Sequence, residues 1–262
     1  MPIVQNWTGF YIGVNGGYAW DQSSSVRATG EPLGPGLIGV GNLILDGLNG
    51  VAPVGAPTST NLGNGRLNGA LVGGQFGYNW QMSKTVLGFE VDGQWIDRRF
   101  TASRSADFFA FGGNTFTLAV EAKQSWFATI RGRFGFLLTP ELLLYGTGGA
   151  AVGGSSAEAT IRGAPGPNII NFATSMNCPA GSVICFSGRS ADTTRWGWAA
   201  GGGFEWALSK AVSFKAEYLY VDLGNQTLRL TTVAPATGTA FVDVVGLSNQ
   251  LHIARAGLNL HF

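Results

Sequence analysis

The sequence predicts an all-β fold: an eight-stranded antiparallel, up-and-down transmembrane β-barrel of the outer-membrane type. In the last stretch, Asn249–Phe262, every second residue from Ala254 to Leu260 is apolar, and mostly polar residues fill the positions between them. A period of two places each set on one face of a strand, and an apolar face that ends in an aromatic residue is typical of a membrane barrel wall. Charged residues make up only 12% of the chain, against about 25% in soluble domains. No run of about 18 apolar residues exists, which excludes a spanning helix.

Eight segments show this alternation, at about 7–20, 65–80, 86–100, 121–138, 142–154, 191–208, 211–224 and 249–262. In the first, fourth and sixth segments, two aromatic residues lie ten positions apart. At about 3.3 Å per residue and a tilt of about 40°, ten residues rise about 25 Å, the height of a barrel's lipid-facing band. We therefore expect two lipid-facing aromatic girdles, formed by Phe10, Trp20, Trp80, Trp95, Trp126, Phe136, Trp196 and Trp206.

The segments follow one another through connections of alternating length. A long segment rich in Gly, Pro, Ser and Asn follows the first strand, and we interpret it as a loop. The short link QMSKT joins the second and third strands, and a loop of about residues 101–120 leads to the fourth. The sequence TPE turns into the fifth strand, whose inward face stays undecided because both faces carry Leu, Ala or Gly.

Two more long connections complete the pattern. A loop of about residues 156–190 precedes the sixth strand, the link LSK joins the sixth to the seventh, and a loop of about 225–248 precedes the last. Three short turns and four long loops match the periplasmic and extracellular ends of outer-membrane barrels. We therefore expect a single domain over residues 1–262, with both termini periplasmic.

The faces opposite the apolar ones carry eight charged residues that we expect to line the lumen. Four acids face four bases, and they must pair because isolated buried ions cost several kcal/mol each. An eight-stranded barrel is just wide enough for side chains to fill, so we interpret the set as a salt-bridge network that plugs the barrel. The alternative is a narrow porin-like pore for ions or small solutes. The set is Glu90, Asp92, Arg131, Arg133, Glu205, Lys215, Glu217 and Arg255.

Four stretches carry a family resemblance: NWTGFYIGVNGGYAW, WFATIRGRFGFLLTPELLLYGTGGAA, RWGWAAGGGFEWALSKAVSFKAEYLYVDLG and ARAGLNLHF. They resemble the alphaproteobacterial outer-membrane immunogenic proteins, small opacity-like barrels of the "porin family". The resemblance covers all eight strands and is lost in the loops. It implies an abundant, antigenic, structural barrel of a Gram-negative outer membrane, with haemin binding or contacts to lipopolysaccharide and peptidoglycan in some members.

Several partners follow as expectations. We expect contacts with outer-membrane lipid and lipopolysaccharide, and with the barrel-assembly machinery through Leu258, Leu260 and Phe262 in the C-terminal strand. The first loop is unusually apolar, since Asp46 is the single charge in Gly36–Pro57. Its apolar residues either fold over the barrel mouth or bind a neighbouring membrane protein, because exposed apolar patches mark interfaces; a haemin or small hydrophobic ligand is a further alternative. These residues are Leu37, Ile38, Leu43, Ile44 and Leu45.

The cysteine pair and the N-terminus bear on the compartment. Cys178 and Cys185 do not have CxxC spacing, and we predict a disulfide formed in an oxidising compartment, with two free thiols as the alternative. MPIVQNW lacks the charged and apolar regions of a signal peptide, so we expect the numbering to begin at a mature form.

Other function classes find little support. A net charge of +1 gives no basic footprint for nucleic acid. Only two histidines exist, and Ser248 lies about 13 Å along the strand from His252, too far for a nucleophile and its base. His261 lies at the periplasmic end of the last strand. We therefore expect no enzyme, no cofactor and no metal. The rival fold is a soluble ligand-binding calyx, which needs its apolar face inward.

Overall fold

The computed structural model describes residues 6–21, 24–30, 59–65, 68–108, 114–163, 184–234 and 238–262. Its ten strands are β1 (Gly9–Trp20), β2 (Ser24–Gly30), β3 (Ser59–Gly65), β4 (Gly69–Met82), β5 (Thr85–Phe108), β6 (Asn114–Thr139), β7 (Leu142–Gly163), β8 (Ile184–Ala207), β9 (Val212–Ala234) and β10 (Gly238–His261). In the part of the chain so described, no helix has the length and hydrophobicity needed to cross a membrane.

Eight of these strands form a closed antiparallel ring. The ring runs β1, β4, β5, β6, β7, β8, β9, β10, and β1 then pairs with β10 to close it. The closing ladder aligns Tyr11 with His261 at one end and Trp20 with His252 at the other. The predicted eight-stranded antiparallel barrel is therefore confirmed. Strands β2 and β3 pair with each other, and β2 also pairs with Val242–Val245 in the first half of β10.

Both ends of the described chain lie with the three short turns, at what we call the short-turn end. Ser83 and Lys84 turn β4 into β5, and Ser83 takes the left-handed φ of 57° that two-residue hairpin turns use. The Phe262 backbone N–H donates to the Phe10 carbonyl at 2.9 Å, which ties the two ends of the chain together. The opposite end is called the long-connection end.

Much of what the sequence suggested as loop is strand. The segments predicted as loops at about 101–120 and 225–248 are largely strand, in the halves of β5, β6, β9 and β10 nearer the long connections. The described ends of the segment predicted at about 156–190 belong to β7 and β8, and β2 and β3 occupy part of the first loop. The prediction ended the strands close to the aromatic girdle, as at Phe100, five residues after Trp95. A girdle marks the height of the lipid band, whereas a hairpin continues for as long as its backbone groups find partners.

Bulges interrupt the ladders at the level of the girdle nearer the long connections. The β5–β6 register shifts between Trp95 and Arg98, and the β6–β7 register shifts between Gln124 and Trp126. A bulge bends a strand and increases its twist. The wall therefore changes direction where it leaves the predicted lipid band.

The alternation places apolar side chains outside and polar ones inside along the lipid band. Ile130 and Phe134 are 58% and 62% exposed, whereas Arg131 between them is 1% exposed. The undecided strand resolves in the same way: Leu143 and Tyr145 of β7 are buried inside, and Leu144 faces outward. The rival calyx, with charges outside and an apolar interior at this level, does not fit this arrangement.

Candidate functional site in the barrel lumen

The structure brings all eight predicted lumen charges together near the centre of the barrel. Their side chains are at most 3% exposed. They come from β5, β6, β8, β9 and β10, each at an inward position of its strand. Four acids and four bases leave the group without net charge.

Arg131 lies at the centre of the network. Its Nη2 atom is 2.6 Å from Glu90 Oε1 and 2.7 Å from Asp92 Oδ2, and its Nη1 atom is 3.0 Å from Glu217 Oε1. Its Nε atom donates to Thr129 Oγ1 at 2.9 Å. One guanidinium therefore links three carboxylates, and charge-assisted bonds of this kind are the strongest hydrogen bonds in proteins.

Arg255 and Lys215 contact the same acids from neighbouring strands. Arg255 bonds to Glu217 Oε2 through Nε at 2.7 Å and through Nη2 at 2.5 Å, and its Nη1 reaches Asp92 Oδ1 at 3.1 Å. Lys215 Nζ lies 2.7 and 2.6 Å from the two carboxylate oxygens of Glu90. Each acid of this group consequently meets more than one base.

The remaining pair, Arg133 and Glu205, lies nearer the short-turn end. Arg133 donates to Glu205 Oε2, and its Cζ atom lies 3.8 Å from the centroid of the Tyr145 ring, a cation–π contact. Glu205 Oε1 accepts from Ser213 Oγ at 2.5 Å and from Asn259 Nδ2 at 2.7 Å. Both oxygens of this buried carboxylate are thus hydrogen-bonded.

Neutral amides occupy the side of the lumen formed by β1 and β4. Asn15 donates to Gln75, and Gln75 Nε2 donates to Asn259 Oδ1 at 2.6 Å. Tyr11, also buried, donates from its hydroxyl to Glu90 Oε2 at 2.8 Å. The amides and the charges together fill the middle of the barrel.

Two apolar layers enclose this polar middle, and the sequence reasoning did not identify them. The lower layer, at the short-turn end, is Trp7, Val86, Leu137, Leu143, Tyr145 and Ala207. The upper layer, toward the long connections, is Ala19, Leu71, Ile96, Phe127, Ala151, Ala199, Leu219, Val221, Leu223, Leu251 and Ile253. The alternation along each strand could have identified them, because Leu219 and Ile253 lie at even spacing from the inward charges Glu217 and Arg255 and therefore also face inward.

Trp7 closes the short-turn end. Its side chain is fully buried, and its Nε1 atom donates to the Pro140 carbonyl at 3.2 Å. Its backbone N–H donates to Gln81 Oε1 at 2.9 Å, and its ring packs edge-on against His261. Trp7, two residues before β1, therefore fills the mouth of the barrel at this end.

A serine, a histidine and a glutamate meet at this mouth, but their geometry is not that of a nucleophile and its base. His261 Nε2 is 2.9 Å from Ser213 Oγ and 3.2 Å from Glu205 Oε1, so both contact the same ring nitrogen. In a catalytic relay the acid and the nucleophile use opposite nitrogens. Ser213 is fully buried as well. In the described ranges, no three His, Cys, Asp or Glu residues cluster as metal ligands would.

The other predicted residues have separate places. Phe10, Trp80, Phe136 and Trp206 lie outside near the short-turn end, and Trp95, Trp126 and Trp196 lie outside near the long connections. Trp20 also faces outward but is half-buried. Leu258, Leu260 and Phe262 are exposed on the outer face. Two predictions fall on residues outside the described ranges and stay predictions: the disulfide, through Cys178, and the apolar loop segment, residues 37–45.

A protein family and several known outer-membrane proteins are similar to this chain. A family described as "Outer membrane protein beta-barrel domain" matches residues 4–241. The 31 kDa outer-membrane immunogenic protein of Brucella melitensis biotype 1 is 30% identical over 266 residues, which cover 98% of this chain and 84% of that protein. The 22 kDa outer membrane protein of Rhizobium leguminosarum bv. viciae is 40% identical over 83 residues, 31% of this chain and 32% of that protein. The crystal structure of OprG from Pseudomonas aeruginosa covers 100% of both chains at 15% identity, with a TM-score of 0.41.

Proposed function

The chain belongs to the outer membrane protein β-barrel family, as its resemblance to the outer-membrane immunogenic proteins predicted, and from this premise we propose that it is a closed, non-enzymatic barrel. In this proposal the barrel anchors a sheet-built surface outside the outer membrane. The short turns and both termini are periplasmic, and the outer halves of β5 to β10 extend from the membrane to the outside.

The observation that carries the closed state is the layered lumen. A hydrated ion that enters from the short-turn end meets the lower apolar layer, in which Leu143 is fully buried. An ion that enters from the long-connection end meets the upper apolar layer, in which Leu219 is fully buried. Between the layers, the eight charges neutralise one another at hydrogen-bond distance, so in the described part of the lumen none of them is unpaired and able to attract an ion. Moving an ion into such surroundings costs several kcal/mol.

Planar-bilayer recording tests this proposal. Purified, refolded protein should give no steady channel over the background of the bilayer alone. A double variant, Arg131→Ala with Arg255→Ala, should conduct, because it removes two large side chains and leaves unpaired acids that draw in water. Arg99→Ala is the matched control, since Arg99 is an exposed arginine on the outside. Steady, large channels from the unaltered protein would contradict the closed barrel.

The surface role follows from the length of the strands. β5 and β6 have 24 and 26 residues, whereas a tilted strand crosses a membrane with about 9–11. More than half of each strand is therefore available outside the lipid band. Crosslinking on whole cells should label Lys123, which is exposed in this outer part, but not Lys215, which is buried in the lumen. Labelling of Lys215 alone would contradict this arrangement.

The first loop is our candidate for contact with a neighbouring membrane protein, and its support is the apolar sequence alone. Deletion of residues 37–48 should leave the barrel folded and weaken any association in membranes. Association that is unchanged by the deletion excludes this role of the loop.

A further inference from the structure

A second polar level lies in the lumen, directly beyond the upper apolar layer toward the long connections. Arg98 follows Ile96 of that layer on β5, and Asn249 precedes Leu251 of that layer on β10. Both polar side chains are buried, with exposures of 1% and 8%. The level draws on β5, β6, β8, β10 and the residue that follows β1. We call it the polar ring, and its members are Asp21, Arg98, Gln124, Arg195 and Asn249.

Breaks in the β-ladders occur at the height of the polar ring. The β5–β6 register shifts just before Arg98, and the β6–β7 register shifts just after Gln124. The β9–β10 register shifts across Asn249, between its two neighbours. A bulge re-aims a side chain and is frequent beside functional sites. Three separate bulges therefore adjoin ring residues at one level of the barrel.

One side of the polar ring is balanced in charge. Arg98 Nη1 donates to Gln124 Oε1 at 2.7 Å, and Asp21 lies close enough to Arg98 for their charges to attract. The amide nitrogen of Gln124 is different, because Nε2 is buried and has no hydrogen-bond acceptor within the described ranges. A buried N–H without an acceptor is unfavourable. This side of the ring therefore offers a donor that a ligand would satisfy.

The other side of the polar ring holds an arginine without a carboxylate. Arg195 alternates with Trp196, which is 75% exposed on the outside, so Arg195 points into the lumen. Its Nη1 atom donates to the Asn225 carbonyl at 3.0 Å, whereas its Nε atom is buried and has no partner among the described residues. With Arg98 and Arg195 set against Asp21, the ring carries one positive charge in excess.

The register places Asn249 beside this arginine. Asn225, whose carbonyl Arg195 contacts, pairs with Ser248 of β10. Asn249 is the next residue, and its Nδ2 atom is a further buried donor that lacks an acceptor in the part of the chain the structure describes. A guanidinium edge and an amide N–H therefore lie on nearby strands without an acceptor between them.

Gln124 approaches the same level from the opposite direction. It pairs with Ser155 of β7, and Ser155 pairs with Thr193, two residues before Arg195 on β8. Buried donors from three strands, β6, β8 and β10, thus face one level of the lumen. Donors that converge in this way, together with an excess positive charge, are what an anion requires.

The surroundings of the polar ring limit the size and charge of that anion. Beyond the ring, the inward positions are apolar again, and Leu118, Val120 and Leu228 are 0%, 1% and 3% exposed. An ion held between two apolar levels must be small, and a single negative charge matches the excess of the ring. A carboxylate has two acceptor oxygens in one plane, which suit a guanidinium edge and an amide. We propose that the polar ring binds one small monocarboxylate anion, of the size of formate or acetate.

Equilibrium dialysis against radiolabelled formate tests this site. The full chain is refolded in a zwitterionic detergent in chloride-free buffer, and it should bind formate saturably, one ion per chain. Arg195→Gln should weaken binding about tenfold or more, because it removes a charge-assisted bond. Gln124→Leu and Asn249→Leu should each weaken it about threefold to tenfold, as the loss of a neutral hydrogen bond does. Arg99→Gln is the matched control and should bind as the unaltered protein does, since Arg99 is exposed on the outside.

A built-in carboxylate gives a second readout that does not depend on weakened binding. Asn249→Asp places an acid beside Arg195 and should abolish formate binding. Formate should raise the urea midpoint of the unaltered protein, because a ligand of the folded state stabilises it. The Asn249→Asp variant should show a raised midpoint without formate and no further rise when formate is added.

Four results would overturn the proposal. They are the absence of saturable binding to the unaltered protein, as expected if water alone fills the ring; equal binding by Arg195→Gln; unchanged binding by Asn249→Asp; and chloride that displaces formate as effectively as acetate does. Heat-modifiable gel migration shows that each variant is folded. Binding in detergent does not depend on membrane orientation, and conductance of the same preparation reports separately on the closed lumen.

Discussion

Arg131→Met should destabilise the barrel more than any exposed charge substitution. Arg131 contacts Glu90, Asp92 and Glu217 at 2.6, 2.7 and 3.0 Å, and its side chain is fully buried. Removing it leaves four buried acids with three bases, and Met has a similar length but no charge. Breaking a buried pair in this way costs about 3–5 kcal/mol, because an uncompensated charge remains in a medium of low dielectric.

Two further variants show whether the loss comes from charge imbalance. Asp92→Asn added to Arg131→Met restores the balance, and the double variant should be less destabilised than the sum of the single variants by about 0.5–3 kcal/mol. Arg99→Met is the matched control. Arg99 Nε is 3.9 Å from Glu121 Oε1, and the two side chains are 59% and 56% exposed, so its loss should cost less than about 1 kcal/mol.

The measurement is equilibrium unfolding in urea, with the protein in detergent micelles and with tryptophan fluorescence and heat-modifiable gel migration as two probes. Agreement of the two probes supports two-state analysis. If Arg131→Met loses no more stability than Arg99→Met, water screens the lumen charges. The reasoning from burial, and with it the closed barrel, would then be refuted.

Three other perturbations test the wall of the barrel. Gly93→Arg should lower the free energy of unfolding in vesicles by about 2–4 kcal/mol, because it places a charge on the lipid face. Gly93→Leu should not destabilise the barrel, since a Cβ at this position meets nothing within 4 Å. Similar urea midpoints for the two variants would contradict an outward-facing Gly93. Gly13→Ala should lower the free energy of unfolding by about 1–3 kcal/mol through overpacking, because its Cβ would lie 2.1 Å from Asn259 Oδ1. Gly16→Ala is the control in the same unfolding assay, since its Cβ would lie 3.6 Å from the nearest atom. Phe262→Ala should reduce the amount of heat-modifiable protein in outer membranes of cells while refolding in detergent stays unchanged, since Phe262 is 72% exposed and is available to the assembly machinery; equal amounts in cells would refute this role.

The period of two in the sequence predicted which side of the barrel wall each side chain faces. Glu90 and Asp92 were assigned inward and Trp95 outward from the sequence alone, and the structure places them so. The prediction was possible because pleating alternates side chains whatever the strand pairs with. It was impossible for β7, where Leu142, Leu143 and Leu144 offer no contrast between the faces.

The strand ends at the long connections were beyond the reach of this pattern. At the short turns, the predicted ends Trp80 and Leu138 lie within two residues of the observed ends of β4 and β6. Toward the long connections, the third strand was ended at Phe100, whereas β5 continues to Phe108. Hairpins outside the membrane carry no lipid-facing requirement, so their outer faces lose the apolar signal while the backbone pairing continues.

What the sequence determined by itself is therefore the ring of eight strands, the face of each residue along the lipid band and the balance of four acids and four bases. What only the tertiary structure decided is which of these meet: that Arg131 joins three acids, that Arg133 pairs with Glu205 beside Tyr145, and that apolar layers lie above and below them. The reason is geometric. Facing is a local property of a pleated strand, whereas the height of a residue in the lumen depends on the register of every strand around the barrel, and closure of the ring sets that register.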